Sequence, residues 1–373
     1  MKRTISDQYQ IRLDKIVAKL STFGLNAFLV TNPANIRYLT GFTGGDSYLL
    51  VTKTASTLIS DERYSIQIEQ ECKNINVYIC TLGDYPKIVR SIIKSRQHTR
   101  LGVEPDSITL LEYNNIAVLN PKTEIVPLKG FVSEFRQIKD KYEIEIIRES
   151  IDTAYNAFTD IRNKVAERHH SRSAVLETEI RDSLEYQMRK YGASDKSFPS
   201  IVCSGKRAAM AHGVPANYDV LKESMLLVDY GAVVNGYMSD LTRVLILKTK
   251  DKKVKEIYDI VLKAQKAAIK AIKPGRKCRH IDKIARDIIN DSGYKKNFGH
   301  NLGHSIGLEI HENPRLSLYD KSFLQPGMVV TVEPGIYIKD WGGIRIEDDV
   351  LVTEKGCEIL SKHVPKEFDE CVL

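Results

Sequence analysis

Hydrophobic and polar positions along this chain follow two different periods, and the period in force changes with position. Near the start Tyr9, Leu13, Ile16 and Leu20 step by four, three and four, which puts them on one face of a helix over residues 6–23. Ser6 is placed to cap that helix and Gly24 to end it. The apolar run AFLVT (27–31) reads as a strand stopped by Asn32-Pro33. SYLLVT (47–52), NVYIC (76–80) and RLGVE (100–104) are further strand candidates, and polar helical stretches near 62–72, 85–95 and 108–119 separate the later ones. Strand and helix thus alternate through the first 130 residues, the pattern of a small α/β domain. Between 121 and 134 the pattern loosens, and Pro121, Pro127 and Gly130 mark a linker. Two domains are expected, over 1–132 and 133–373.

The second half opens on a long helix, because Ile147, Ile151, Ala154, Phe158, Ile161 and Val165 keep one face apolar. Further helices are expected near 173–191, ending at Gly192, over 252–272, stopping at Pro274-Gly275, and over about 279–291. The remaining segments are strand-like with NG, PG and GG punctuation, so helices and antiparallel hairpins share one α+β domain. The clearest local structure is SMLLVDYGAVV, Asn235-Gly236, YMSDLTRVLIL, since Asn-Gly between apolar runs is a strong hairpin signal. A two-residue turn there pairs Val234 with Tyr237, and paired residue numbers sum to 471. Asp229 then lies opposite Thr242 and Asp240 opposite Gly231, so the two acids are diagonal neighbours on one face. Gly231 is expected to leave open space opposite Asp240.

Composition narrows the function classes. With 42% hydrophobic and 28% charged residues the chain has the make-up of a globular protein. The net charge of +7 comes without a basic stripe interleaved with aromatics, so nucleic acid is not an expected partner. The run Lys248, Lys250, Lys252, Lys253, Lys255, broken by Asp251, reads as a solvated loop. The opening MKRTISDQYQ has no apolar core of a signal peptide, and no window approaches 18 apolar residues, so no membrane span and a cytoplasmic location are expected. Six scattered cysteines with no CxxC pair fit reduced thiols.

Candidate chemistry lies in the last 150 residues or so. Burying Asp229 and Asp240 among Leu, Val and Tyr is costly unless cations or hydrogen bonds compensate. FGHNLGHSIGLEIHENP carries His300, His304 and His311 within twelve residues, with glycines at 299, 303 and 307 that allow close backbone packing. A solitary histidine is as a rule a satisfied core residue; three together beside carboxylates point to a site. His212, in KRAAMAHGVP, lies just upstream of the hairpin. MVVTVEPGIYI sets Glu333 at a strand end, and GGIRIEDDVLV puts Arg345 and Glu347 on one strand face with Ile344 and Ile346 on the other. An arginine two residues from a buried acid suits the orienting of that acid. Asp229, Asp240, Glu333 and Glu347 with His304 make a ligand set for one or two divalent ions of the hard or borderline kind.

The order Asp, a second Asp eleven residues on, then GHxxG, HExP, VEPG and GxRIED resembles the pita-bread metallopeptidases, the family of methionine aminopeptidase, aminopeptidase P and prolidase. The resemblance covers residues 140–362, and NIRYLTGFTG resembles the creatinase-type N-terminal domain of the last two, which methionine aminopeptidases lack. It implies two divalent metals, manganese first with cobalt, iron or zinc as alternatives. Asp229 would bind one metal, His304 and Glu333 the other, with Asp240 and Glu347 bridging. Glu333 would also shuttle a proton, and His212 and His311 would hydrogen-bond the substrate, its developing oxyanion or the leaving nitrogen. His300, Arg315 and Arg345 are placed on the substrate side. The implied activity is removal of the first residue from peptides with proline second, as in aminopeptidase P. If Arg315 grips the carboxylate of a dipeptide, the enzyme is a prolidase instead. A methionine aminopeptidase and a non-catalytic peptide-binding relative are the remaining alternatives; creatinase shares the fold without the ligands, all five of which this chain keeps. Ser305 stands where the family's GHGIG has glycine and is expected to narrow the site. A homodimer is implied by analogy.

Overall fold

The structure, a computed structural model, describes residues 5–73, 75–81, 83–95, 99–247 and 251–373. The side chain of the expected cap Ser6 and the lysines Lys248 and Lys250 lie outside the described residues. The chain divides into two compact units, Met1–Arg136 and Gln137–Leu373.

The first unit runs α1 (Ile5–Thr22), β1 (Ala27–Val30), α2 (Pro33–Thr40), β2 (Tyr48–Thr52), β3 (Ser56–Ser60), α3 (Ser65–Glu71), β4 (Asn76–Ile79), α4 (Tyr85–Ser95), β5 (Arg100–Val103), α5 (Leu110–Leu119), β6 (Glu124–Pro127) and α6 (Ser133–Arg136). Its six strands form one mixed sheet in the order β4-β3-β2-β1-β5-β6. Three elements depart from the sequence reading. Asn32-Pro33 does end β1, but Asn32 then caps α2, accepting the amides of Ala34 and Asn35, with Pro33 in the first turn where its missing N–H is harmless. β3 and β6 are short and partly polar, and β6 occupies the stretch read as a linker. Both are held by pairing with neighbours rather than by their own pattern.

The second unit begins with α7 (Lys141–Ser171), whose start is a reciprocal cap between Asp140 and Glu143. It continues with α8 (Glu177–Lys190), β7 (Asp195–Lys196), β8 (Ile201–Ser204), β9 (Met225–Tyr230), β10 (Ala232–Val234), β11 (Tyr237–Met238), β12 (Leu241–Ile246), α9 (Lys252–Ala271) and α10 (Cys278–Ile289). β13 (Gly303–Ser305), β14 (Glu312–Leu316), β15 (Val329–Val332), β16 (Gly335–Ile338), β17 (Gly342–Arg345), β18 (Asp348–Val352) and β19 (Cys357–Ile359) complete it. The strand ladders of this unit are antiparallel, in sheets ordered β12-β9-β8, β11-β10-β7, β14-β13-β15-β18-β19 and β16-β17. Apolar faces of α9 and α10, among them Ile257, Val261, Ile281 and Ala285, share one core with Leu227, Val244, Val330, Val350, Ile344 and Ile346. Helices thus cover one side of the sheets and leave the carboxylate-bearing side open to a cleft.

The hairpin keeps the predicted register on both sides of a break. Val234 pairs with Tyr237, Leu241 with Tyr230 and Thr242 with Asp229. The ladder changes sheets between them, because Ser239 folds inward and donates its amide to Ala232 O while its Oγ accepts the amide of Ala232. The expected open space at Gly231 is not there: a Cβ on Gly231 would lie 1.9 Å from the carbonyl oxygen of Ser239. Gly231 is therefore required for close backbone approach. Gly231→Ala is expected to destabilise the protein by about 1–3 kcal/mol through backbone displacement. A urea midpoint equal to that of the parent protein would show that the backbone yields without strain.

Candidate metal centre

The hairpin places Asp229 at the end of β9 and Asp240 just before β12, and Glu347 arrives just before β18. One carboxylate oxygen from each of these three lies within 4.8 Å of the other two, and all three side chains are buried. Glu333 follows β15 and His304 sits in the middle of β13, with His304 Nε2 3.5 Å from Asp240 Oδ2 and 3.5 Å from Glu333 Oε1. The five residues are therefore contiguous around one small volume. Each of the ten sequence-predicted site residues, these five with His212, His300, His311, Arg315 and Arg345, lines a single cleft of about 830 Å³.

Hydrogen bonds aim the acids. Arg345 Nη2 donates to Asp229 Oδ2 at 2.5 Å, and Arg345 Nε donates to Thr242 Oγ1, which donates in turn to Glu347 Oε2 at 2.6 Å. Thr331 Oγ1 donates to Glu333 Oε1. Arg345 and Glu347 both reach the cluster while Ile344 and Ile346 enter the core, but not from one strand as expected: β17 ends at Arg345, and Glu347 lies in the break before β18, which belongs to another sheet. His304 Nδ1 faces the carbonyl of Ser305 at 3.2 Å, so it carries the proton and leaves Nε2 with a free lone pair toward the acids. His300 is held differently. Its Nδ1 donates to Asn301 O at 2.7 Å, and Nε2 accepts from Tyr337 Oη, which itself accepts from Arg345. Both ring nitrogens of His300 are therefore engaged within the protein. His212, His311 and Arg315 are exposed along the cleft. The His311 ring meets that of His304 edge-on at 4.5 Å.

A family model for metallopeptidase family M24 matches residues 145–354, and one for the creatinase/prolidase N-terminal domain matches residues 12–138. The chain belongs to metallopeptidase family M24. It is 35% identical to an Xaa-Pro dipeptidase of Pyrococcus furiosus over 94% of this chain and 97% of that protein. Among solved structures, an Xaa-Pro dipeptidase from Bacillus anthracis matches with a TM-score of 0.90 and 36% identity, covering 98% of this chain and all of that one. An X-Pro aminopeptidase from Thermotoga maritima matches with a TM-score of 0.87 and 34% identity over 97% and 99% of the two chains. This M24 chain is thus a hydrolase acting on peptides, with a pita-bread catalytic domain preceded in sequence by a creatinase-type domain, as its motifs implied.

M24 peptidases work with divalent metals, and the donor set of this member fits them. Burial, reinforced by Glu347 and Asp229, holds the Asp240 carboxyl well above the usual range, and burial with Glu333 and Asp229 does the same to Glu347. Burial also lifts Glu333 to about 8 against the pull of Arg345. Asp229 Oδ1 and Glu347 Oε1 are buried with no hydrogen-bond partner among the described residues. Burial and the neighbouring His311 lower His304 to about 3, so its lone pair stays free at neutral pH. Mutually repelling acids with orphaned oxygens around a neutral imidazole are a cradle for cations rather than a self-satisfied network.

Several supporting residues escaped the sequence reading. Asp349 Oδ2 accepts the amide of Asp240. Arg243, fully buried, donates to the carbonyls of Thr242 and Glu347 and to Asp348 Oδ1, which pins two site strands from behind. Asp348 also takes Lys366 and Ser361 as partners. Three consecutive acids, Glu347, Asp348 and Asp349, in an otherwise apolar strand were the available signal.

Proposed function

We propose that this peptidase hydrolyses the bond before proline in Xaa-Pro dipeptides, and that Arg315 selects for the short substrate. The observation that carries this reading is register: Arg315 on β14 pairs directly with His304 on β13. Paired residues point to the same face, with Cβ atoms about 5 Å apart, so the guanidinium rises beside the cluster. That is the reach of a carboxylate one residue beyond the scissile bond, and Arg matches a carboxylate in two-point geometry. Relatives named Xaa-Pro dipeptidase agree with this reading.

Asp229, Asp240, His304, Glu333 and Glu347 would hold two divalent ions, manganese by the hard, carboxylate-rich character of the set. When bound, such ions polarise the scissile carbonyl and lower the pKa of the attacking water. Glu333, whose carboxylate accepts from Thr331 Oγ1, takes up the proton of the water and passes it to the leaving prolyl nitrogen. Partial desolvation in the cleft, with Arg315 and His212 nearby, lowers the pKa of His311 and so favours the neutral ring, which donates one N–H to the developing oxyanion. His212 lines the same cleft and holds the substrate from the other side. Phe198, Ile201, Val214 and Pro215 give the cleft an apolar wall suited to a proline ring, whose tertiary amide offers no N–H to satisfy.

Aminopeptidase action on longer peptides is the second reading, favoured by a cleft whose about 830 Å³ exceeds what a dipeptide fills. The test is a panel of Xaa-Pro dipeptides, Xaa-Pro amides and Xaa-Pro-Yaa tripeptides with the manganese-loaded protein. Turnover of dipeptides alone supports the proposal; preference for tripeptides overturns it, and release of Met from Met-Ala peptides would point to methionine aminopeptidase action. Arg315→Ala is expected to raise KM for dipeptides about 10- to 100-fold, the effect of one charged hydrogen-bond pair, and to leave Xaa-Pro amides nearly unchanged.

A further inference from the structure

Contrary to the expectation from its place beside His304, Ser305 does not narrow the cleft. Its side chain is fully buried and donates Oγ to the carbonyl of Val329 at 2.8 Å. The same Oγ accepts from Lys139 Nζ at 3.0 Å, and Lys139 Nζ also donates to Glu312 Oε2 at 3.0 Å. The side chains of Lys139 and Glu312 are only 1% and 5% exposed. The other oxygen of Glu312 accepts the amide of Glu309, and a Cβ on Gly307 would come within 2.7 Å of it. The loop from Ser305 to Glu312 is thus folded closely around one carboxylate. The register of β13 on β14 shifts after His304, and Ser305 then pairs with Glu312. Lys139 therefore joins the two residues that directly follow His304 and His311 in the chain.

We propose that Lys139, Ser305 and Glu312 form a buried clamp whose work is to set the distance and angle between the His304 and His311 rings. Lys139 is a positioning residue; it touches neither ligand atoms nor substrate. A buried ammonium has three donors to satisfy and a charge to neutralise. Glu312 supplies the charge and one acceptor, and Ser305 supplies a second acceptor that the family's usual glycine lacks. Because a buried ionic network is stable only near its best geometry, it holds whatever is covalently next to it. The catalytic consequence rests on the function proposed above, in which His304 binds metal and His311 donates to the oxyanion.

The test uses Ser305→Ala and the double variant K139M/E312Q, because Lys139→Met alone takes the ammonium away from a buried carboxylate and endangers folding. In the manganese-loaded protein Ser305→Ala is expected to lower kcat about 10-fold, with KM within about twofold and metal stoichiometry unchanged. Its thermal midpoint should stay close to that of the parent. In the metal-free protein, long-range histidine ¹H–¹⁵N spectra should show the His304 and His311 signals moved, and those of His169, His280 and His363 in place. K139M/E312Q should move the same two signals further. Unmoved His304 and His311 signals in both proteins overturn the clamp, as does a loss of kcat that merely tracks a loss of folded protein. If the parent cleaves no Xaa-Pro substrate, the function proposed above fails, and the spectra still decide the clamp.

Discussion

Asp240→Asn lowers kcat/KM by about a thousandfold or more and makes the metal-free protein more stable than the parent. The first effect follows from position: Asp240 stands between His304, 3.5 Å away, and the carboxylates of Asp229 and Glu347, so it is the residue the whole ligand set shares. In the ligand set proposed above, removing its charge would remove a ligand, and loss of several kcal/mol of electrophilic assistance corresponds to a factor of about 10³. The second effect follows from electrostatics. Burial and four neighbouring acids, Glu347, Asp229, Glu333 and Asp349, disfavour the Asp240 carboxylate, so the folded metal-free chain carries repulsion that asparagine relieves. A gain of about 1–2 kcal/mol is the range seen when a functional group that strains its fold is neutralised. Metal content by emission spectroscopy, turnover of Xaa-Pro substrates and urea unfolding in chelator report the three quantities. An Asp240→Asn protein that keeps two metals and full turnover refutes the ligand assignment; one that is inactive and less stable than the parent when both are metal-free refutes the electrostatic account.

What the sequence disclosed of this site, and what it withheld, follows from the range of the interactions involved. The pairing of Asp229 with Thr242 was legible because an Asn-Gly turn and a period of two fix it locally. The helices were legible because their apolar faces repeat over many turns. His304, Glu333 and Glu347 were legible because each lies in a motif of its own, so no distance had to be guessed. Gly231 was misread because its function depends on Ser239 folding inward, a tertiary event with no local signature. The same holds for Lys139, 166 residues from Ser305, and for Arg243, whose partners Glu347, Asp348, Val364 and Pro365 come from the far end of the chain. A basic residue inside an apolar strand announces that some acid or carbonyl must meet it; it does not say which. Ser305 shows the limit from the other side, since one residue's departure from a motif was visible and the direction of its side chain was not.

Stability of the metal-free protein falls as pH rises from about 6.5 to 8, and divalent metal reverses the trend. Glu333 has its folded pKa raised to about 8 from an ordinary 4.5, so over this interval the folded chain keeps a proton that the unfolded chain has released. A raised carboxyl contributes stability that is complete below its unfolded value and lost as pH climbs through the folded one, at about 1.4 kcal/mol per pH unit for each such proton. Asp240 and Glu347 are displaced in the same direction by burial and by neighbouring acids, Glu347 and Asp229 for the first and Glu333 and Asp229 for the second, and Asp349, also raised chiefly by burial, adds to them. The histidines act oppositely and mostly at lower pH. Burial lowers His300 to about 4 and His304 to about 3, so they withdraw stability as pH falls through their ordinary 6.5. Asp348, which burial would raise but Arg243 and Lys366 hold below its ordinary 3.8, acts lower still. At pH 6.5 the unfolded histidines are still half protonated, so His300, His304 and the likewise lowered His311 offset part of the fall at the lower end of the interval; the raised acids outweigh them, one proton held across it amounting to about 2 kcal/mol. Metal takes the place of those protons, so its binding at pH 7 releases at least one and its affinity strengthens with pH up to about 8. Urea midpoints in chelator at pH 6.5, 7.2 and 8, and binding calorimetry in two buffers of different ionisation enthalpy, measure both sides of this linkage. A metal-free midpoint that stays level or rises over the interval would mean the acids already ionise freely, and the cluster would then be too well solvated to need cations.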